Sequence, residues 1–257
     1  MSKIIFLGTC AGTEPMPDRH HASVMIESNG FYYLFDAGES CSRTAHLMGI
    51  DMSKVKAVFI SHPHIDHIGG LLNTVYTIWK LASVYENYPP DRKIDFHIGD
   101  ISLWHSFEKV LSGIGLQHEN LFEICSHEIT DGLLFEDENI KVEAMHNHHI
   151  RFSDGEKPKS YSFKITVDGR IILYSGDVKD MADLENVLGD GCDYLICETG
   201  HHKVKDVCDF ADTHNVGQLL FSHNGRAILN DEKTAREDMK YCSKKPVICY
   251  DKMVLEL

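Results

Sequence analysis

The sequence predicts an α/β protein made of two packed mixed β-sheets with helices outside, and three observations predict it. The length, 257 residues, suits one large α/β domain and is short for two. Strand-like segments gather in two halves of the chain, each followed by segments of helical periodicity. No Pro/Ser-rich linker or low-complexity tract separates the halves, so residues 1–257 read as a single domain.

Residues 3–9, 22–28 and 31–38 read as strands, the last two joined by a tight turn at Ser28-Asn29-Gly30. Residues 56–61 read as a fourth strand. Leu71, Leu72, Val75, Ile78, Trp79 and Ala82 recur at helical spacing, which predicts an amphipathic helix over 69–85 that "NYPPDR" ends. A strand near 94–98 and a helix near 102–112, with Ser102 as its cap, follow. Strands are expected at 121–125, 133–136, 140–146, 161–167 and 171–175, with Asp168-Gly169 as a second hairpin turn. Then come a strand at 193–197, a helix at 204–214, a strand at 218–222, a helix near 231–242 and a last strand near 246–255.

Hydrophobic residues make up 43% of the chain and charged residues 25%, enough apolar character for a sizeable core. No apolar run approaches the roughly 20 residues of a membrane helix. "MSKIIFLGTCAG" reads as a first strand and not as a secretory leader, so a cytoplasmic protein is expected. The eight cysteines contain no CxxC pair and read as reduced thiols. Acidic residues outnumber basic ones by 39 to 25, a net charge of −14, which disfavours extended contact with nucleic-acid phosphates.

Of the 17 histidines, three stand with an aspartate in "FISHPHIDHIGG": His62, His64, Asp66 and His67. Imidazole and carboxylate together suit divalent metals. His62 and His64, two apart, face the same way in an extended chain. Asp66 and His67 lie where the chain must turn, and Gly69-Gly70 removes side-chain bulk there. One loop can thus feed two neighbouring metals. Further ligand-type residues end later strands: His146, His148 and His149 in "VEAMHNHHI", Asp177 in "ILYSGDV" and His223 in "LLFSHNGR".

These segments resemble the metallo-β-lactamase superfamily, and within it the ribonuclease Z-like and phosphodiesterase-like branch. The resemblance spans nearly the whole chain. It rests on "FLGTCAGTEPMPDRHHAS", "LFDAGES", "SHPHIDHIGG", "SYSFKITVDGRIILYSGDV" and "LLFSH". It implies a four-layer αββα sandwich. It also implies two divalent metal ions, zinc first with manganese or iron as alternatives. One would be held by His62, His64 and His149, the other by Asp66, His67 and His223, with Asp177 between them. His149 fits the family pattern best, seven residues after Val142 and just before Ile150. His148 is the alternative, and His146 would support a ligand or lie at the surface.

Two cations about 3.5–4 Å apart can share a water and make hydroxide available near neutral pH. Asp66 would orient or deprotonate that water, and Asp36 would accept a ligand imidazole N–H. Among Glu198, His201 and His202 in "ICETGHHKVKDV", His201 matches the family's proton-donating position better than His202. Lys203 and Val204 replace the small hydroxyl residues usual there. Arg19, His20 and His21 could stand at the site mouth; none is taken as catalytic.

The expected function is metal-dependent hydrolysis of a small or cyclic phosphodiester. A lactone, thioester or sulfate ester is the alternative on the same fold and metals. A tRNA-processing endoribonuclease is disfavoured by the charge and by ordinary strand and helix character over 87–132, where no long Gly- and Lys-rich insertion occurs. A di-iron redox protein is disfavoured by His64 and by the lack of a flavin domain. A small anionic ester is the expected partner, and a homodimer the assembly that general frequency suggests.

Overall fold

The computed structural model describes residues 1–153 and 155–257. In β1 (Lys3–Gly8) the apolar residues split by parity: Ile4 and Phe6 face one core, Ile5 and Leu7 another. A strand buried on both faces reads as a continuous apolar run, and such strands belong between layers. β1 pairs with β2 (Ser23–Ser28) and β2 with β3 (Phe31–Phe35), all antiparallel. Asn29 and Gly30 both take positive φ, 51° and 80°, as the two-residue turn of this hairpin requires. β4 (Val55–Phe59), β5 (Lys93–Ile98) and β6 (Glu123–Glu128) add in parallel.

The second sheet is built from β7 (Gly132–Glu136), β8 (Ile140–His146), β9 (Tyr161–Val167), β10 (Arg170–Tyr174), β11 (Cys192–Glu198), β12 (Val216–Ser222) and β13 (Val247–Ile248). β7 to β10 run antiparallel to their neighbours; β10, β11, β12 and β13 are parallel. The orders are β14-β1-β2-β3-β4-β5-β6 and β13-β12-β11-β10-β9-β8-β7, with β14 at Val254–Glu256.

Phe6, Phe35 and Phe59 from the first sheet pack with Phe163, Ile172, Ile196 and Leu220 from the second. Outside the first sheet lie α1 (Cys41–Leu47), α2 (Ile65–Ile68), α3 (Leu71–Tyr85) and α4 (Ile101–Gly113). Outside the second lie α5 (Glu185–Leu188), α6 (Val204–Thr213), α7 (Arg226–Asn230) and α8 (Glu232–Met239). Two mixed seven-stranded sheets with helices outside form the four-layer αββα sandwich that the resemblance implies.

Several boundaries differ from the sequence expectation. The last strand near 246–255 is two short strands in different sheets, because Asp251 and Lys252 turn the chain from one sheet to the other. The helix near 231–242 is α8, which ends earlier, at Met239; Asp231 caps it by accepting from Thr234 N at 3.1 Å, and the short helix α7 before it was not expected. Asp100, not Ser102, caps α4; its carboxylate accepts from Ser102 N and Oγ. The sixth strand starts at Glu123 and not at 121, since Leu121 and Phe122 both donate their N–H to His118 O. No helix is expected from the pattern at α1, whose buried face is Cys41, Ser42, Thr44 and Ala45, small and half polar.

Candidate metal centre

The site forms where strands of both sheets end. β4 runs through Ile60 and Ser61 into His62, and the chain stays extended to His64 (φ −66°, ψ 148°) before the single turn α2 carries Asp66 and His67. Gly70 lets this turn seat against the loop after β3: a Cβ there would lie 2.2 Å from Gly38 O. From the second sheet, Asp177 follows β10, Glu198 ends β11 and His223 follows β12. These three strands are parallel neighbours, so their carboxyl ends place the three side chains side by side.

Among the described residues three groups of ligand-type atoms result, the third being Asp177, Glu198, His201 and His223. In the first, His64 Nδ1 lies 3.0 Å from His62 Nε2 and 3.2 Å from His149 Nε2. Asp177 Oδ2 lies 3.6 and 3.7 Å from the nitrogens of His62 and His149. In the second, His67 Nε2 lies 3.4 Å from Asp177 Oδ1 and 3.6 Å from Asp66 Oδ2, which lies 3.1 Å from His223 Nε2. Asp177 therefore turns one oxygen toward each of these two. Within each group the ligand atoms lie within 4.8 Å of one another, a spacing able to hold a metal ion.

The electrostatics of the protein alone fit that reading. Burial lowers His62 well below the usual histidine range, reinforced by the charge of His67. Burial would also lower His67 and His223, but Asp177 overrides it for both, helped by Asp36 at His67 and by Asp66 and Glu198 at His223. His67 ends well above the usual range and His223 at about 9. Burial would raise Asp66, yet the His223 hydrogen bond and the His67 charge hold it below the usual carboxylate range. Protons here do the work of a cation. Among the described residues, His67 Nε2, Asp177 Oδ1 and His223 Nδ1 are buried without a hydrogen-bond partner. Each such atom costs about 1–3 kcal/mol. Unpaired ligand atoms clustered on imidazole and carboxylate are what a divalent cation satisfies, so the residues fit the group.

Asp36, at the end of β3, is fully buried. Its Oδ1 accepts from Ser61 N at 2.7 Å; its Oδ2 accepts from Ser61 Oγ and Tyr174 OH and lies 2.7 Å from His67 Nδ1. This fixes His67 with Nε2 toward the second group.

His149 enters the first group, while His148 turns outward onto Asp183 at 2.6 Å and is mostly exposed. His146 pairs with Asp131. His201 stands over the centre, its ring 4.9 Å from that of His149 and 5.9 Å from that of His223. Hydrogen bonding to Glu198 raises its pKa against the effect of burial. His202 instead bonds to Val178 O at 3.0 Å. Arg19 does not reach the site mouth, because it donates to Thr9 Oγ1 and Cys249 O. His20 is held by Asp251, and His21 Nε2 lies 3.1 Å from Thr13 O.

Glu198 received no role from the sequence. Its Oε1 accepts from Val178 N, and its Oε2 from His201 N at 2.8 Å while lying 3.7 Å from His223 Nδ1. The signal was present: an acidic residue closing an apolar strand, as Asp177 and His223 follow the strands beside it. Lys203 and Arg226 were also missed. They line a cleft of about 540 Å³ together with Thr13, His64, Asp66 and His201. They sit in short loops and at a helix start, where sequence pattern carries no periodicity.

The family model described as Anti-Pycsar protein Apyc1 matches residues 2–232. Ribonuclease Z of Picrophilus torridus is 26% identical over 93% of this chain and 95% of its own length. Ribonuclease Z of Pyrococcus abyssi is 37% identical, but over 98 residues, 37% of this chain and 32% of that protein. Human tRNase Z, short form, superposes with a TM-score of 0.76 at 22% identity, covering 99% of this chain and 98% of that one. The metallo-β-lactamase fold protein YhfI from Bacillus subtilis gives 0.74 at 18% identity over the full length of both. A diphosphatase from the PhnP family gives 0.69 at 17% identity, covering 100% and 98%. The chain is a hydrolase of the metallo-β-lactamase superfamily, in its ribonuclease Z-like branch, and belongs to the Apyc1 family.

Proposed function

We propose that the protein hydrolyses a small or cyclic phosphodiester with two divalent cations, zinc first and manganese or iron as alternatives. His62, His64 and His149 would hold one, Asp66, His67 and His223 the other, and Asp177 would serve both. The observation that carries this reading is the split of the Asp177 carboxylate, Oδ2 toward the first group and Oδ1 toward the second. When bound, the cations supply Lewis-acid activation of water and positive charge at the phosphoryl oxygens.

The chain supplies the rest. Asp66 orients the attacking water. Glu198 takes the Nδ1 side of His201, which leaves Nε2 to give a proton to the departing alkoxide. Lys203 at the cleft offers charge to an anionic substrate, as does Arg226 beside it, which is paired with Glu14. Both sheets provide ligands, so we take residues 1–257 as one catalytic unit. We place it in the cytoplasm, in keeping with eight free cysteines, and a homodimer is the assembly to test.

A small substrate is favoured by the charge of −14 and by the segment between β5 and β6, which is the helix α4 and a short turn. The second reading, a tRNA endonuclease, is favoured by the relatives named ribonuclease Z. Metal analysis with assays on bis-p-nitrophenyl phosphate, a cyclic-nucleotide panel, lactones and a precursor tRNA separates them. Two metal ions per chain and turnover of diesters are expected. A preference for lactones or thioesters by orders of magnitude overturns the phosphodiester reading, and efficient precursor cleavage overturns the small substrate.

A further inference from the structure

Four histidines, of which His201 lines the cleft, are gripped alike, each by one carboxylate that meets both its backbone N–H and its Nδ1. Asp251 holds His20 at 2.7 and 2.8 Å, and Asp131 holds His146 at 2.7 Å twice. Asp183 holds His148 at 3.2 and 2.6 Å, and Glu198 holds His201 at 2.8 and 3.1 Å. Two of the grips, at His146 and His148, come just before His149 in the chain. That residue lies three positions past the end of β8, and the next strand begins only at Tyr161. Its segment is tied internally: His149 N donates to Asn147 Oδ1, and Ile150 N to Ser160 Oγ. Asp183 ties it outward. The same Oδ2 that accepts from His148 N also accepts from Lys179 N at 3.0 Å, two residues past Asp177. The Asp183 side chain is only 6% exposed, so water competes little for these bonds.

We propose that Asp183 is a positioning residue that joins the segment carrying His149 to the segment carrying Asp177 and so sets the affinity of the His62/His64/His149 group for its cation. This rests on the metal reading above. Fixing both segments through one buried carboxylate removes freedom that the cation would otherwise have to freeze on binding.

The test uses the full chain and compares Asp183→Ala, Asp183→Asn, His148→Ala and His149→Ala with the parent. The readouts are zinc affinity by competition with a chromophoric chelator, the visible spectrum of the cobalt(II) form, and thermal unfolding. Asp183→Ala is expected to weaken the ion of the His149 group by about tenfold or more and the other, which shares only Asp177, by clearly less. Asp183→Asn is expected to hold both within about threefold: its oxygen still accepts from the two backbone N–H groups, and its NH₂ can donate to Nδ1 of the other His148 tautomer. His148→Ala, which keeps only the backbone half of the grip, should fall between parent and Asp183→Ala even if the latter does not fold. His149→Ala should lose one ion. Equal weakening of both ions in Asp183→Ala, or none, overturns the proposal. If His149→Ala loses an ion and Asp183→Ala does not, the grip alone fails; if His149→Ala keeps both, the ligand assignment fails with it.

Discussion

Asp36 and His67 face each other in full burial, Oδ2 to Nδ1 at 2.7 Å, and the Tyr174 hydroxyl donates to the same oxygen at 2.7 Å. Burial and the Asp36 charge push Tyr174 well above its ordinary range, so it remains a donor at every working pH. Tyr174→Phe removes one donor from a buried carboxylate. The expected cost is about 1–3 kcal/mol by denaturant unfolding. Asp36→Asn, which replaces the carboxylate behind His67, is expected to weaken the Asp66/His67/His223 ion by about 10–100-fold in a chelator competition. Unchanged affinity in that variant would show that His67 needs no support from Asp36.

The sequence carried the strands and the ligand-type residues because both rest on local rules. Parity of apolar residues fixes β1 to β4, and Asn29-Gly30 and Asp168-Gly169 fix their hairpins by positive φ. His62 to His67 were legible as one motif because they lie within six residues. Asp183 was not, since its role comes from the turn after Asp177 being brought against His148, whereas Glu198 carried only the signal of closing a strand as Asp177 and His223 follow theirs. A lone acidic residue has no periodicity to announce it. His148 and His149 are adjacent and chemically alike, and only the fold separates them: Asp183 takes the first, and the second faces His64.

Metal removal should unfold part of what the cluster holds. The orphaned atoms of His67, Asp177 and His223 sit at the junction of both sheets, so the metal-free protein keeps a buried electrostatic cost there. Dialysis against a strong chelator is expected to abolish diester turnover. It should also lower stability by about 3 kcal/mol for each ion previously present at a hundred times its dissociation constant. Zinc or manganese should restore both, checked by calorimetry and assay on one sample. A chelated protein with full stability and full turnover would remove the metal reading.

His97 predicts an acid limb that the metal centre does not cause. It is buried on the inner side of β5, stacked between Phe59 and His127, with Nε2 unpartnered among the described residues. Burial, and after it the His127 charge, lower its pKa to about 4. Between pH 6.5 and 4 the unfolded chain binds the proton and the folded chain does not, so stability falls as the pH falls through that window. The full effect is about 3 kcal/mol. Comparing the pH dependence of unfolding in the parent and in His97→Leu, both zinc-loaded, isolates it: the parent should lose that much more. Parallel curves would assign the acid limb to other groups.

The two adjacent histidines after β11 should separate by leaving group. His201 stands over the centre with Nδ1 on Glu198, whereas His202 spends its Nε2 on the Val178 carbonyl. A cyclic nucleotide leaves as an alkoxide, which needs a proton as the bond breaks; p-nitrophenolate leaves without one. His201→Ala is therefore expected to lower kcat on a cyclic nucleotide by about 10²–10⁴-fold. On bis-p-nitrophenyl phosphate its effect should be far smaller, because the missing proton is not required. His202→Ala should leave the ratio between the two substrates at the parent value and cost only stability, about 1 kcal/mol for its hydrogen bond. If His201→Ala slows both substrates equally, the imidazole acts in binding or orientation; if His202→Ala is the variant that discriminates, the proton passes through the neighbour.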